Sequence, residues 1–446
     1  MKSAIIDSWL NIRASYWFLP LLMAIGATAA SIVLVQLDSM LGVPQLPRLD
    51  WLYANQPDGA QALLSTIAGS MITIASVTFS MTLLAVSHAT GQIGHGLLSE
   101  FMRDRGNQIT LGTFVATFLY CLMVLRTVHG GADDGESAVT AFVPHLAVLG
   151  GLVLAILSVS VLIYFFHHVF QSINVANVVA RIGEELLTRV SMLHPERLEK
   201  GQRAAAVSSD ARLPQQFDAE SRCVPMAAGS GYLRVVDEEG LMTLAQQHDV
   251  VLHVRARPGD FLFEGQPLMH VWPRERADDE LVRALCGAFS WGAERTPEQD
   301  VLLPAQQLLE ILGKALSPGI NNQYTALLCI DQLERGLEAI LSRRISDSHR
   351  VDSDDRLRVI AAPITHELFV RAVCEPLAQY IRGDWIATSR VLRSLGRLMQ
   401  TERLRASRSL LLAQANAIYE DAQRSAMPEM LKQSLERTWD ECLATR

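Results

Sequence analysis

The side chains of this 446-residue chain that recur densely enough to act together are hydroxyls. The stretch TIAGSMITIASVTFSMTLLAVS, residues 66–87, carries no charge, and eight of its 22 residues are Ser or Thr. Its length suits a bilayer crossing, which takes about 20 apolar residues. Wound at about 100° per residue, Thr66, Ser70, Thr73, Ser76, Ser80 and Ser87 fall within an arc of about 120° that also holds Gly69. Val77 and Leu84 interrupt that arc, and Thr78 and Thr82 lie outside it. Two physical causes produce such a face. In lipid, helices associate through small residues that let backbones approach and through interhelical hydrogen bonds of about 0.6 kcal/mol; Gly69, Ser76 and Ser80 suit that. Alternatively the face lines water around a symmetry axis. Thr66, Thr73, Ser76, Ser80 and Ser87 then border an ion path, and Leu84 is its gate, because a ring of leucines at one level dewets a narrow pore.

Other candidates have quieter explanations. Asp104, between Arg103 and Arg105, reads as a solvated or lipid-facing charge cluster or as an ion-selecting ring. His167 and His168 close an apolar run, where an amphipathic ring suits the membrane interface, and further ligands for a metal are missing from the sequence. GQIGHG (91–96) follows a membrane span rather than a strand and reads as a turn, not a phosphate loop. In SPGINN (317–322), Pro318 and Gly319 end one helix and Asn321 or Asn322 caps the next. As a ligand loop, Asn321 and Asn322 would present an anion with the N–H groups of a helix start. Walker, HExxH and dinucleotide motifs are absent, and no nucleophile–base pair stands out. The expectation is a protein that is not an enzyme, with no cofactor and no metal.

The elements that position these residues follow from composition. Charged residues make up 19% and apolar ones 49%, and the apolar ones are concentrated before residue 170. That asymmetry predicts a membrane part followed by a soluble part. A net charge of −8 gives no basic footprint for nucleic acid. Six cysteines stand singly with no CxxC pair, as expected of a reducing compartment without structural zinc. Bilayer-length stretches occupy 16–37, 62–86, 108–128 and 141–166. The first has the flanks of a signal peptide but runs on through SIVLVQL, so it reads as an uncleaved helix. Lys2, Arg13, Arg103, Arg105, Arg181, Arg189 and Arg197 fall on one side of these spans. Asp38, Asp50, Asp58, Asp133, Asp134 and Glu136 fall on the other, which predicts that both termini are cytoplasmic.

The stretches LLSEFMRDRGNQITLGTFVATFLYCLMVLRTV (97–128) and ALSPGINNQYTA (315–326) resemble the signatures of a bacterial membrane-protein family, domain of unknown function 2254, over nearly the whole chain. Where that family usually reads Asn-Asp-Pro, this chain has Asn321, Asn322 and Gln323. The resemblance implies membrane helices followed by a cytoplasmic domain, in the bacterial inner (plasma) membrane, and no particular activity.

Past the membrane, 167–200 reads as an exit helix and 201–221 as a small, polar linker. GYLRVVDEEGLMTLAQQHDVVLHVRARPGDFLFEGQPLMHVW (231–272) reads as a strand, a short helix, a strand and a hairpin turning at RPGD and EGQ. RPGDFLFEGQPLMHV resembles half of a lipoyl or biotinyl carrier, yet no lysine occurs between 201 and 313, so an unmodified β scaffold is expected. From 277 onward the pattern is helical, with RLRVIAA (356–362) as the one strand. The expected fold is an α-helical polytopic membrane domain of four transmembrane helices and a cytoplasmic α+β domain. Its parts are a four-helix domain (1–172), exit helix and linker (173–221), a barrel-sandwich-like β domain (222–300) and a helical domain (301–446). Spans two and three hold no Asp, Glu, Lys or Arg before Arg126, which argues against a coupled carrier. The functional expectation is a homo-oligomeric ion channel or pore in the lipid bilayer with a cytoplasmic regulatory domain. The alternative is a membrane-anchored sensor or scaffold whose helices only pack.

Overall fold

Hydrocarbon offers no partner to a backbone N–H or C=O, so an apolar run that crosses it folds as a helix. The computed structural model of the chain describes residues 17–41, 57–93, 104–129, 142–194, 217–226 and 229–444. The chain divides between Asn174 and Val175 into two compact units. The first contains α1 (Phe18–Leu41), α2 (Pro57–Ile93), α3 (Arg105–Leu125) and α4 (His145–Ile173). All four are long and apolar enough to cross a membrane. α2 continues past the expected end at 86 as far as Ile93, because a helix needs no apolar side chains once it reaches water.

α3 is the inner helix of this unit. Half of its membrane window is buried, against 17%, 28% and 22% for α1, α2 and α4. It packs on all three of the others. Tyr120, Cys121 and Val124 of α3 share a core with Ala60, Leu64 and Ala68 of α2 and Ala147 and Val148 of α4. Small residues set the approach. A Cβ on Gly112 would lie 3.2 Å from the Pro20 Cα of α1, and one on Gly151 would lie 3.1 Å from Leu64. Close backbone contact of this kind replaces the hydrophobic effect, which lipid removes as a driving force.

Three polar ties hold α4 in place. The Tyr120 hydroxyl donates to the Ala147 carbonyl at 2.8 Å. The buried hydroxyls of Thr117 and Ser158 lie 3.0 Å apart. The Asp38 carboxylate accepts the N–H groups of Leu146 (3.1 Å) and Ala147 (3.0 Å). Pro144, the residue at the N-cap of α4, supplies no side-chain cap, so Asp38 reaches across from α1 to do it.

The second unit begins with α5 (Val175–Leu193), separated from α4 by Asn174 in an extended conformation. The expected exit helix is thus two helices with a break. After a short α6 (Phe217–Glu220) come β1 (Arg222–Pro225), β2 (Gly231–Val236), α7 (Glu238–Gln247), β3 (Val251–Val254), β4 (Phe261–Leu262) and β5 (Pro267–Trp272). α8 (Asp279–Cys286), β6 (Phe289–Gly292), α9 (Leu302–Ala315), α10 (Gln323–Leu341), β7 (His349–Val351) and β8 (Leu357–Ala361) follow. The chain closes with α11 (His366–Ile381), α12 (Trp385–Gln400), α13 (Arg408–Arg424) and α14 (Glu429–Ala444).

The expected hairpin is not one. β3 and β5 pair with each other, while β4 between them crosses to pair with β2. One sheet has the order β1-β5-β3-β8-β7 and the other β4-β2-β6. Both contribute to a single core with α7 and α8, including Leu233, Leu252, Leu268, Met269, Leu281 and Phe289. β8, from the RLRVIAA stretch, runs parallel to β3. That pairing carries the β segment beyond the boundary expected at 300, because β3 would otherwise be an open edge. α5 lies on α9 and α10, where Arg335 pairs with Glu184 at 2.8 Å. At the α5–α10 crossing a Cβ on Gly183 would overlap the Gln332 side chain, and one on Gly336 would overlap that of Leu186, so either would have to displace its neighbour.

The Asp38 cap is testable. Asp38→Ala should cost about 1 kcal/mol, typical for loss of an N-cap, while Asp38→Asn keeps an accepting oxygen and most of the stability. Thermal unfolding in detergent micelles reads the difference, and equal midpoints for Asp38→Ala and the parent would contradict the cap.

Candidate functional site

The hydroxyl face of α2 points away from its own bundle. Its buried side runs Ala60, Leu64, Ala68, Met71, Ala75, Thr78, Thr82 and Val86. That stripe lies about 180° around the helix from the arc centred on Thr66 and Thr73. Thr66, Ser70, Thr73, Ser76, Ser80 and Ser87 are all exposed, and so is Leu84, at 73%. The structure therefore brings the five expected path residues and Leu84 to one outward surface, while the two hydroxyls outside the arc, Thr78 and Thr82, turn inward. Gly69, within the arc, has no neighbour where a Cβ would stand.

These hydroxyls do not need outside partners. Thr66 donates to the Ala62 carbonyl (2.7 Å), Ser70 to Thr66 (2.6 Å), Thr73 to Gly69 (2.8 Å), Ser76 to Ile72 (2.9 Å) and Ser80 to Ser76 (2.8 Å). Each hydrogen is spent on the carbonyl one turn back, which helical Ser and Thr reach easily. What remains outward is oxygen lone pairs. From Thr66 to Ser87 they extend about 32 Å along the axis, close to the thickness of the hydrocarbon core. Exposed positions of α1 and α4 are mostly apolar, among them Leu21, Leu22, Ile25, Val153, Ile156 and Ile163, whereas α2 exposes its hydroxyls beside Ile72, Val77, Phe79, Met81 and Leu83.

A second polar group sits where α3 begins. Asp104 caps α3 by accepting the Gly106 N–H at 2.7 Å, and its other oxygen lies 2.8 Å from His168 Nε2 of α4. The His168 ring stacks on Tyr164 with centroids 5.3 Å apart. Gly106 is small because a Cβ there would meet that imidazole at 2.5 Å. Asp104 and His168 thus fasten two spans together. Asn107, one turn in, is 3% exposed, and its amide has no hydrogen-bond partner among the described residues. Among the described residues no group of three or more His, Cys, Asp or Glu is placed to share a metal ion.

The second unit holds a cavity of about 480 Å³, within the usual range for small-molecule sites. Val236, Leu241, Val254, Ala256, Val359 and Ala361 give it apolar walls, and Arg257, Arg350, Glu238 and His194 its polar groups. His194 ends α5 and is 3% exposed. Its Nδ1 faces the Ser346 N–H at 3.3 Å, and the Ser346 hydroxyl donates to the Leu193 carbonyl at 2.6 Å. With Nδ1 accepting, the ring hydrogen belongs on Nε2, which has no partner among the described residues.

The family model described as predicted membrane protein (DUF2254) matches residues 13–397. The chain belongs to this family. Two similar proteins, one from Mycobacterium bovis and one from Mycobacterium tuberculosis and each described as an uncharacterized protein, are 28% identical over 406 residues. The match covers 90% of this chain and 74% of each of theirs. No solved structure matches it.

Both stretches that carry the DUF2254 resemblance have structural duties in this DUF2254 chain. The first builds α3 with its Asp104 cap, its glycines and Tyr120. In the second, Asn322 Oδ1 accepts the Thr325 N–H at 3.2 Å and caps α10, and Asn321 adopts a left-handed conformation (φ 45°) that asparagine tolerates. Neither lines the cavity. The cavity residues went unnoticed in sequence because they come from well-separated segments; the one local signal was the RPGD turn that carries Arg257.

The buried histidine gives a pH dependence. Burial, with help from His366 and Arg343, pushes the His194 pKa down to about 4, and burial lowers that of His366 as well. An unfolded histidine titrates near about 6.5. Between about 4 and 6.5 the unfolded chain binds a proton that folded His194 refuses, so stability falls as pH drops through that window. Up to about 3 kcal/mol rides on this residue. Denaturation at pH 7.5 and 4.5 should show a smaller loss for His194→Gln than for the parent protein.

Proposed function

We propose that this DUF2254 protein forms a homo-oligomeric cation path, with the hydroxyl face of α2 around the axis and the second unit as its cytoplasmic regulator. The observation that carries this reading is the opposition between the two sides of α2. The bundle buries one side, and the other presents, beside apolar residues, a bilayer-deep row of hydroxyl oxygens denser than any on α1 or α4. Lone pairs turned outward favour cations over anions. Four helices enclose too little space for a path within one chain, and an axis between copies supplies it. Leu84, on the same face, is the gate, since a ring of its side chains at one level dewets a narrow pore. Missing midplane charges in α2 and α3 favour passive conduction over coupled transport.

A second reading, an anchored sensor whose spans only pack, draws support from the cavity in the second unit. Currents separate the two. Reconstituted Leu84→Ser should raise resting conductance at least severalfold, because water fills the constriction, while Thr78→Val, on the buried side, should leave conductance unchanged. Membranes that stay tight with both the parent protein and Leu84→Ser would remove the conduction reading, and bulky residues at Gly69 or Ser76 would then act by disturbing helix contacts alone.

Orientation is part of the same proposal. The positive-inside distribution puts both termini and the second unit in the cytoplasm of a bacterium. A cysteine introduced at Asp58 should react with an impermeant maleimide on intact cells. The native Cys223, which is exposed, should react only after permeabilisation. Labelling of Cys223 alone on intact cells would reverse the topology.

A further inference from the structure

We infer that the cavity of the second unit binds a small organic carboxylate with an apolar body, its charge held by Arg257. This goes beyond the conduction reading and needs no current to be true. The walls are apolar on both the strand and helix sides, and an apolar lining with a few placed polar groups is what retains a small molecule. The charges around it are mostly spent. Arg350 pairs with Glu238 through a 2.9 Å hydrogen bond. Asp300, 3% exposed, holds Arg295 at 2.7 Å and accepts the Leu302 and Leu303 N–H groups at the start of α9. Asp347 accepts the His349 N–H at 2.9 Å.

Arg257 is the exception. It lines the cavity half-buried, and among the described residues its guanidinium has no acid partner. A half-buried cation without a counter-charge is open to an anion, and a ligand carboxylate fits the two-pronged geometry of guanidinium.

The turn that carries Arg257 is rigid. The Arg257 N–H donates to Asp260 Oδ2 at 2.8 Å, and the Asp260 N–H donates back to the Arg257 carbonyl at 3.0 Å. Gly259, at φ +95°, donates to the Leu233 carbonyl at 2.8 Å, and a Cβ there would overlap Asp300. The arginine is therefore presented from a fixed backbone, which lowers the ordering cost of binding. His194 also lines the cavity, and among the described residues its buried Nε2 has no hydrogen-bond partner.

The test is calorimetric titration of the full-length protein in lipid nanodiscs with 1-naphthoate, with empty nanodiscs subtracted. One saturable site per chain is expected. Arg257→Gln should weaken it at least about tenfold, and 1-naphthamide should bind the parent protein more weakly by a similar factor. Arg257→Lys should fall between, keeping charge without the fork. Arg257 has no ion pair to lose, so its variants should melt like the parent. Ala361→Trp, which fills the cavity from β8, should abolish binding. Unchanged affinity in Arg257→Gln, equal affinity for acid and amide, or no saturable heat with the parent protein would each overturn the assignment.

Discussion

A polar group inside hydrocarbon is costly without a partner, and apart from the Asn107 amide the membrane unit is organised around that cost. α3 is the most enclosed span and buries the most polar side chains, among them Asn107, Gln108, Thr110 and Thr117. Tyr120 reaches a backbone carbonyl of α4, and Thr117 meets Ser158. At the two ends of the bundle, carboxylates close helix starts: Asp38 for α4 and Asp104 for α3, the latter also holding His168. α2 answers the same demand differently, folding the hydroxyl hydrogens of Thr66, Ser70, Thr73, Ser76 and Ser80 back onto its own helix. Its outward oxygens are thereby tolerable in lipid and still available to something more polar.

In the second unit water supplies the driving force, and the strands are short. Single side chains complete what the ladders leave open. The Gln299 amide accepts the Val236 N–H at 2.9 Å and donates to the Val236 carbonyl at 3.1 Å, acting as a one-residue strand beside β2. Arg358, nearly buried, bridges Asp249 at 2.8 Å and Asp352 at 2.7 Å. Its guanidinium keeps both carboxyls below their ordinary range. Buried arginine is tolerable here because two acids meet it; the half-buried Arg257 meets none among the described residues.

Local patterns were legible in the sequence and distant pairings were not. The four spans follow from apolar length, and the hydroxyl arc from a 3.6-residue period. Asn322 as a cap follows from residue type and position. Which side of α2 faces the bundle depended on Ala60, Leu64, Ala68 and Ala75, whose small size is equally common on lipid-facing surfaces. Asp38 lies more than 100 residues from the helix it caps, and His168 lies 64 residues from Asp104. No periodicity records such a distance. β4 misled for a different reason. Its flanking turns were read correctly, but a two-residue strand has too few side chains to declare which sheet it joins.

The glycines at the α5–α10 crossing act as a mechanical key. Gly183 receives Gln332, and Gly336 receives Leu186. Sliding one helix past the other by a turn, about 5.4 Å, would drive a full side chain into each notch. α5 and α10 are therefore locked in register, and the Arg335–Glu184 pair pins their rotation. α5 follows α4 after a single residue, and its far end is stitched to the 343–346 segment through His194 and Ser346. A pull or twist passed down the chain from α4 would be shared at once by α5 and α10, as if the two were one stiff lever.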